Sequence, residues 1–171
     1  MEVKNFLVTG IPGCGKTTLI KEILSIIPIN KKGFFTEEIK EKGKRAGFKI
    51  ITFSGKEGIF AHQNFAFPFR VSKYSVSISV LEDTGVKEIE EGLKQSCLIV
   101  IDEIGKMELF SEKFRKVVMA AFESKNRVLG TVLFAPHPFC DEIKKRKDTQ
   151  IFVLEKHNYQ QLKQTLINLL Q

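Results

Sequence analysis

The chain has 171 residues, 43% of them hydrophobic and 27% charged, a length and balance suited to one globular domain with a real core. No apolar run approaches the ~20 residues of a membrane-spanning helix, and the first apolar stretch, Phe6 to Val8, runs straight into a glycine-rich loop, so neither a membrane anchor nor a secretion signal is expected. The formal net charge of +7 favours anionic partners, nucleotides or nucleic acid, without choosing between them. Cys14, Cys97 and Cys140 form no CxxC pair and lie at no zinc spacing, so free thiols in a reducing cytoplasm are expected.

Lys4 to Thr9 reads as a short buried strand ending at Gly10. Leu19, Ile20, Ile23, Leu24 and Ile27 fall at helical spacing and predict a helix over Lys16 to Ile27, stopped by Pro28. Between Gly33 and His62 the character changes. Phe34 to Ile39, Gly47 to Phe53 and Gly58 to His62 are short β-rich runs joined by tight turns, which predict antiparallel hairpins. Gln63 to Tyr74 lacks periodicity and is expected to be a loop.

Helices and strands then alternate. A helix is predicted from Thr84 to Gln95, a doubly covered strand from Cys97 to Ile101, and a helix from Glu108 to Glu123. A strand over Arg127 to Phe134, a short helix over Pro138 to Lys147, and a strand over Ile151 to Leu154 follow. Leu162, Leu166, Leu169 and Leu170 define a last helix, with Asn158 as its expected N-cap. The alternation predicts a three-layer α/β fold, a mostly parallel sheet with helices on both faces and an added antiparallel hairpin segment.

Gly10-Ile11-Pro12-Gly13-Cys14-Gly15-Lys16-Thr17 matches G-x-x-x-x-G-K-[ST], the P-loop or Walker A pattern, and Thr18 follows. The glycines let the backbone curl with its amides turned inward. Those amides and the N-terminus of the next helix make a site of positive potential for phosphate. Lys16 is expected to reach the β- and γ-phosphates and the Thr17 hydroxyl to ligate Mg2+. The strand before and the helix after supply the context the motif requires.

The apolar run Cys97 to Ile101 ends in Asp102-Glu103. Ligands of open α/β sheets sit beyond the carboxyl ends of the strands, so an acid there faces the metal held by Thr17. Asp102 is the expected Walker-B metal residue. Glu103 is the candidate for aiming a water at the γ-phosphorus, a role that hydrolysis requires and simple binding does not. The plainer reading of this pair is a polar turn after a strand.

Beyond these two motifs, the chain resembles the thermostable nucleoside-triphosphatase family over nearly its whole length. The resemblance rests on Gly33 to Glu38, Arg45 to Phe48, Arg70 to Tyr74, Arg146 to Asp148, and most specifically on Asp102-Glu103-Ile104-Gly105-Lys106-Met107-Glu108-Leu109-Phe110. It implies a fold related to the RecA-like ATPases, Mg2+-dependent hydrolysis of several nucleoside triphosphates, and Glu103 as the water-activating carboxylate. The run Val132 to Pro138 departs from the family pattern.

Several further residues border the expected site. Lys106 and Glu108 lie just past the acidic pair, where they either flank the γ-phosphate or form an exposed charge pair. Of the five arginines, Arg45 and Arg70 lie in loop-proximal, family-like segments and are the candidate transition-state clamps. Thr131 either contacts the γ-phosphate or packs within its strand. A small-molecule kinase and a nucleic-acid-associated regulatory NTPase share the phosphate loop and stay open as alternatives. A kinase commonly needs an arginine-rich lid over the nucleotide, and the chain has no clustered arginines to form one. The nucleic-acid reading draws on the basic runs Lys31-Lys32 and Lys40 to Arg45, but Phe34, Phe48, Phe53, Phe60, Phe114 and Phe122 fall at core positions of the predicted elements rather than on a stacking surface. His62, His137 and His157 are scattered, with no metal-ligand spacing, and expected at the surface or in loops. Nothing specifies an oligomer, and a monomer is the default.

Overall fold

The computed structural model describes all residues from Met1 to Gln171. Its first half runs β1 (Asn5–Thr9), α1 (Lys16–Ile26), β2 (Lys31–Glu41), β3 (Lys44–Thr52), β4 (Glu57–His62), β5 (Arg70–Val71) and β6 (Tyr74–Val76). The second half runs α2 (Ile78–Leu81), α3 (Lys87–Leu93), β7 (Leu98–Ile104), α4 (Glu112–Glu123), β8 (Val128–Val132), α5 (Pro138–Lys144), β9 (Thr149–Val153) and α6 (Tyr159–Leu170). All nine strands join one sheet in the order β5-β6-β4-β3-β2-β7-β8-β1-β9. The run from β2 to β9 is parallel, and β3, β4, β6 and β5 extend it antiparallel from β2. The expected α/β fold is present, and β8 lies between the strand that feeds the glycine-rich loop and the strand that carries the acidic pair.

The two-residue period of a strand explains why the sheet is covered on both faces. In β7, Leu98 and Val100 pack with Leu19, Ile20, Ile23 and Leu166 of α1 and α6. Ile99 and Ile101 point the other way, into a core with Ile89, Phe114, Val118 and Phe122 of α3 and α4. Each of these fully buried aliphatic or aromatic side chains contributes roughly 1.5–3 kcal/mol. The same alternation in β1 sends Phe6 and Val8 to the α1 side and Leu7 to the other.

The element boundaries differ from the sequence expectation in instructive ways. Asp102 and Glu103 do not follow β7 but lie within it, where the ladder to β8 is interrupted between Ile101 and Ile104. The expected loop Gln63 to Tyr74 contains β5 and the start of β6, strands of two and three residues that are too short to leave a periodic signature. The helix expected from Thr84 begins instead at Ile78, capped by Ser77, which accepts from the Val80 amide at 3.4 Å. It passes through a π-helical turn at Glu82–Val86 before continuing as α3.

The helix expected from Glu108 begins at Glu112 because Ser111 caps it, accepting from the Phe114 amide at 3.0 Å. Glu108–Phe110 forms a separate 3-10 turn. The helix from Pro138 stops at Lys144 rather than Lys147. Asn158 does not cap α6; its side chain accepts from the Glu155 amide and donates to the Val153 carbonyl, both at 2.8 Å. Of the three histidines only His62, on β4, departs from the surface-or-loop expectation, and His137 lies in the loop before α5. His62 is 9% exposed and contacts Glu41, and His137 caps α5 by accepting from the Phe139 amide.

β2 is the strand that both halves of the sheet share, and Gly33 is where it needs no side chain. Gly33 pairs with Val100 at a φ of +119°, and a Cβ there falls 1.9 Å from the Val100 carbonyl oxygen. Neither backbone can retreat without breaking the parallel ladder. Gly33→Ala is therefore expected to destabilise the fold by about 3 kcal/mol or more. Gly43→Ala, at a φ of +75° in an exposed turn with nothing within 4 Å, is expected to cost about 1 kcal/mol. Urea titration of the two variants measures the difference, and equal midpoints would remove the steric argument.

Candidate active site

β1 delivers the glycine-rich loop from a fixed point. The Thr9 hydroxyl donates to the Val132 carbonyl of β8 at 2.9 Å, and the Leu154 amide beyond β9 donates to the Thr9 carbonyl at 2.8 Å. Gly13 and Gly15 then take φ values of +79° and +99°, a left-handed conformation that side-chain-bearing residues resist. α1 starts at Lys16 with no acidic residue in its first turn, so the positive end of the helix is left uncompensated by side chains. The Lys16 ammonium curls back over the loop and donates to the carbonyls of Gly10 at 3.0 Å and Ile11 at 3.3 Å. Ile11, Pro12, Gly13 and Thr18 are exposed along the outer rim, with Cys14, Gly15, Lys16 and Thr17 half-buried. The left-handed glycines, the uncompensated start of α1 and the Lys16 ammonium folded over the loop together make a site suited to phosphate.

Asp102 meets this loop from across the sheet. It is wholly buried, and its two oxygens are separately engaged. The Thr17 hydroxyl donates to Oδ2 at 2.8 Å, and the Thr131 hydroxyl donates to Oδ1 at 2.6 Å. One carboxylate thereby ties the start of α1 to β7 and β8. Burial pushes its pKa up, while the hydrogen bonds from Thr131 and Thr17, the Thr36 backbone and the Lys16 charge oppose the rise. Thr131 accordingly takes a polar role as a partner of Asp102.

Glu103 is half-buried beside Asp102. Burial and the Asp102 charge raise its pKa, and Lys16 pulls it down. Glu108 is more deeply placed, at 5% exposure. The turn after β7 folds it inward: the Leu109 amide donates to the Gly105 carbonyl at 3.0 Å, and the Ser111 amide donates to the Glu108 carbonyl at 3.1 Å. Burial and the nearby Glu103 push the Glu108 carboxyl well above the usual carboxylate range. Its depth rules out the exposed charge pair with Lys106 that the sequence allowed. Glu108 is the functional-site neighbour that sequence reasoning placed least well, and no local pattern signals its burial.

Two carboxyl groups, Asp102 and Glu103, therefore lie near the Lys16 ammonium, an arrangement that repels a polyphosphate unless a cation accompanies it. The donors present fit a hard divalent ion. The Thr17 and Asp102 oxygens lie side by side, and no group of three or more Asp, Glu, His or Cys side chains converges anywhere in the chain to cage a metal alone. A hard divalent cation held here would take its remaining ligands from phosphate and water.

The arginines divide differently. Arg146 pairs with Asp148 at 2.9 Å and Arg127 donates to the Leu169 and Leu170 carbonyls, just before the amino-terminal ends of β9 and β8 and so at the strand ends opposite the site. Arg115 donates to the Leu109 carbonyl and braces the turn that carries Glu108. Arg45 is exposed near the β2–β3 tip, paired with Glu38, and exposed Arg70 donates to the Lys73 carbonyl at 3.2 Å. No contact joins either to Lys16, Asp102 or Glu103. Lys106 is exposed on the turn after β7.

The raised pKa of Glu108 has a sign that can be tested without nucleotide. The folded chain holds this proton above the unfolded carboxylate value of about 4.3. Its contribution to stability is thus present below that value and lost as pH rises toward the folded one. Glu108→Gln removes the titration. Its stability relative to the unmodified chain is expected to rise between pH 4 and pH 8 in chemical denaturation, and a pH-independent difference would refute the burial argument.

Comparison with known proteins agrees with this geometry. The sequence profile of the NTPase family matches residues 5–167. The nucleoside-triphosphatase THEP1 of Thermotoga petrophila is 48% identical over 164 residues, 96% of this chain and 91% of that protein. The cancer-related nucleoside-triphosphatase of Homo sapiens is 33% identical over 98% of this chain and 97% of its own length. The crystal structure of THEP1 from the hyperthermophile Aquifex aeolicus superposes with a TM-score of 0.90 at 33% identity, covering 98% of this chain and 99% of that one. The chain belongs to this nucleoside-triphosphatase family.

Proposed function

We propose that the chain, acting as one domain, hydrolyses nucleoside 5′-triphosphates to the diphosphate and phosphate with Mg2+ as its cofactor and little discrimination among bases. The observation that carries this reading is the 2.8 Å contact between Thr17 and Asp102, which brings the phosphate loop and the acidic strand into one site with Glu103 beside it. The loop from Gly10 to Thr18 grips phosphates, groups common to every nucleoside triphosphate, and so gives no reason for base selectivity. Three free thiols suit a reducing compartment, and the cytoplasm is the proposed location.

In this mechanism the loop amides and Lys16 hold the β- and γ-phosphates. Thr17 and Asp102 hold Mg2+, which when bound supplies neutralisation of charge on the phosphate oxygens. Thr131 keeps Asp102 turned toward Thr17. Glu103 accepts a hydrogen bond from a water and aims its oxygen at the γ-phosphorus. As that oxygen–phosphorus bond forms, the water gives up a proton to Glu103, the bond to the bridging oxygen breaks and the diphosphate leaves. Lys106, exposed on the adjoining turn, approaches the γ-phosphate once nucleotide is bound. Arg45 and Arg70 act there only if the hairpin tips close on the nucleotide.

Phosphate release across a panel of nucleoside triphosphates, with and without Mg2+, tests the overall reading; dependence on an added acceptor would instead indicate a kinase. Glu103→Gln is expected to lower kcat about 100-fold or more while nucleotide affinity is kept, and an unchanged kcat would remove Glu103 from its role. Lys16→Ala is expected to weaken triphosphate binding about 10-fold or more by calorimetry.

A further inference from the structure

Gly105 lies two residues past Glu103, at the start of the turn that buries Glu108. Its φ is not among the left-handed values of the chain, so its backbone admits a side chain. Space is what forbids one. A Cβ built at Gly105 meets the Glu103 side chain three times before any other atom, at 2.5 Å from Oε1 and 3.1 Å from both Cδ and Cγ. The Glu103 side chain therefore lies back across the bare face of Gly105. The contact is one-sided in its consequences. The obstructed atoms are the far end of a flexible side chain, which swings aside at little energetic cost. The backbone of the turn, anchored by the Leu109 amide on the Gly105 carbonyl, has no need to move.

We infer that Gly105 is a positioning residue for hydrolysis: its missing side chain sets where the Glu103 carboxylate rests, and so where that carboxylate directs water. The inference rests on the water-aiming role proposed above for Glu103. A methyl group at position 105 displaces the carboxylate by an ångström or more while leaving the phosphate loop, Thr17, Asp102 and Thr131 untouched. Misplacement of about 1 Å at a reacting centre costs on the order of 100-fold in rate.

The test compares the unmodified chain with Gly105→Ala, Glu103→Gln and the two combined. It reads kcat, KM, affinity for a non-hydrolysable ATP analogue, and thermal stability. Gly105→Ala is expected to lower kcat about 10- to 100-fold, with KM and analogue affinity within about twofold of the unmodified chain. Added to Glu103→Gln, it is expected to change kcat no further, since it acts only through that carboxylate. A fully active Gly105→Ala, or an effect that multiplies with Glu103→Gln, overturns the proposal. A Glu103→Gln variant with unchanged kcat overturns both this proposal and the role of Glu103, whereas an inactive Glu103→Gln beside an active Gly105→Ala overturns this one alone. Should Gly105→Ala fail to fold, Gly105→Ala with Glu103→Ala decides the matter. Recovery of folding once the obstructed side chain is removed supports the contact, and continued failure means the backbone itself demands glycine, which overturns the proposal.

Discussion

A single buried carboxylate organises this molecule. Asp102 has no exposure and no cation in direct contact, yet it accepts hydrogen bonds from two threonines that are far apart in sequence, one opening α1 and one on β8. Burying an ionised group costs several kcal/mol unless partners restore what water provided. The two hydroxyls restore part of it. What remains is a strained demand for positive charge, aimed at the end of the phosphate loop. In the proposed mechanism that demand is what makes the site selective for a nucleotide arriving with its cation.

The surroundings of Asp102 follow the same logic. β8 separates β1 from β7, so the loop and the acidic pair face each other across the width of one strand. Glu108 fills the space behind Glu103 as a carboxyl that favours its protonated form, which limits the negative charge gathered there. Arg115 and Ser111 brace the turn holding it: one donates to the Leu109 carbonyl, and the other caps α4 while donating to Glu82 at 2.8 Å.

The antiparallel half of the sheet gives the molecule its asymmetry. β2 pairs with β7 only from Lys31 to Phe34, then continues to Glu41 beside β3. Its last four residues overshoot the end of β7 by about 13 Å at the usual rise per residue. The Lys21 ammonium of α1 lies 2.8 Å from Glu37 and 4.2 Å from the Phe35 ring centroid, so this projecting hairpin is braced against the helix that begins in the phosphate loop. It stands as a wall beside the site, with Lys40, Lys42, Lys44 and Arg45 along its tip.

The sequence alone determined whatever depends on neighbours in the chain. The Gly10–Thr18 loop, the doubly buried run of β7, the alternation of helices and strands, and the hairpins after Gly33 were all legible, because each is fixed by local spacing or by turn chemistry. Only the tertiary structure decided what depends on residues brought together over long separations. Thr131 reads as an ordinary strand residue until β8 places it on Asp102, 29 positions away. Glu108 reads as a helix-start charge until the turn at Gly105 folds it inside. Arg45 and Arg70 sit in suggestive segments, yet register carries them to hairpin tips. A periodic pattern shows that a residue is turned inward; what it meets there depends on which strands become neighbours, and that is settled by packing the whole sheet.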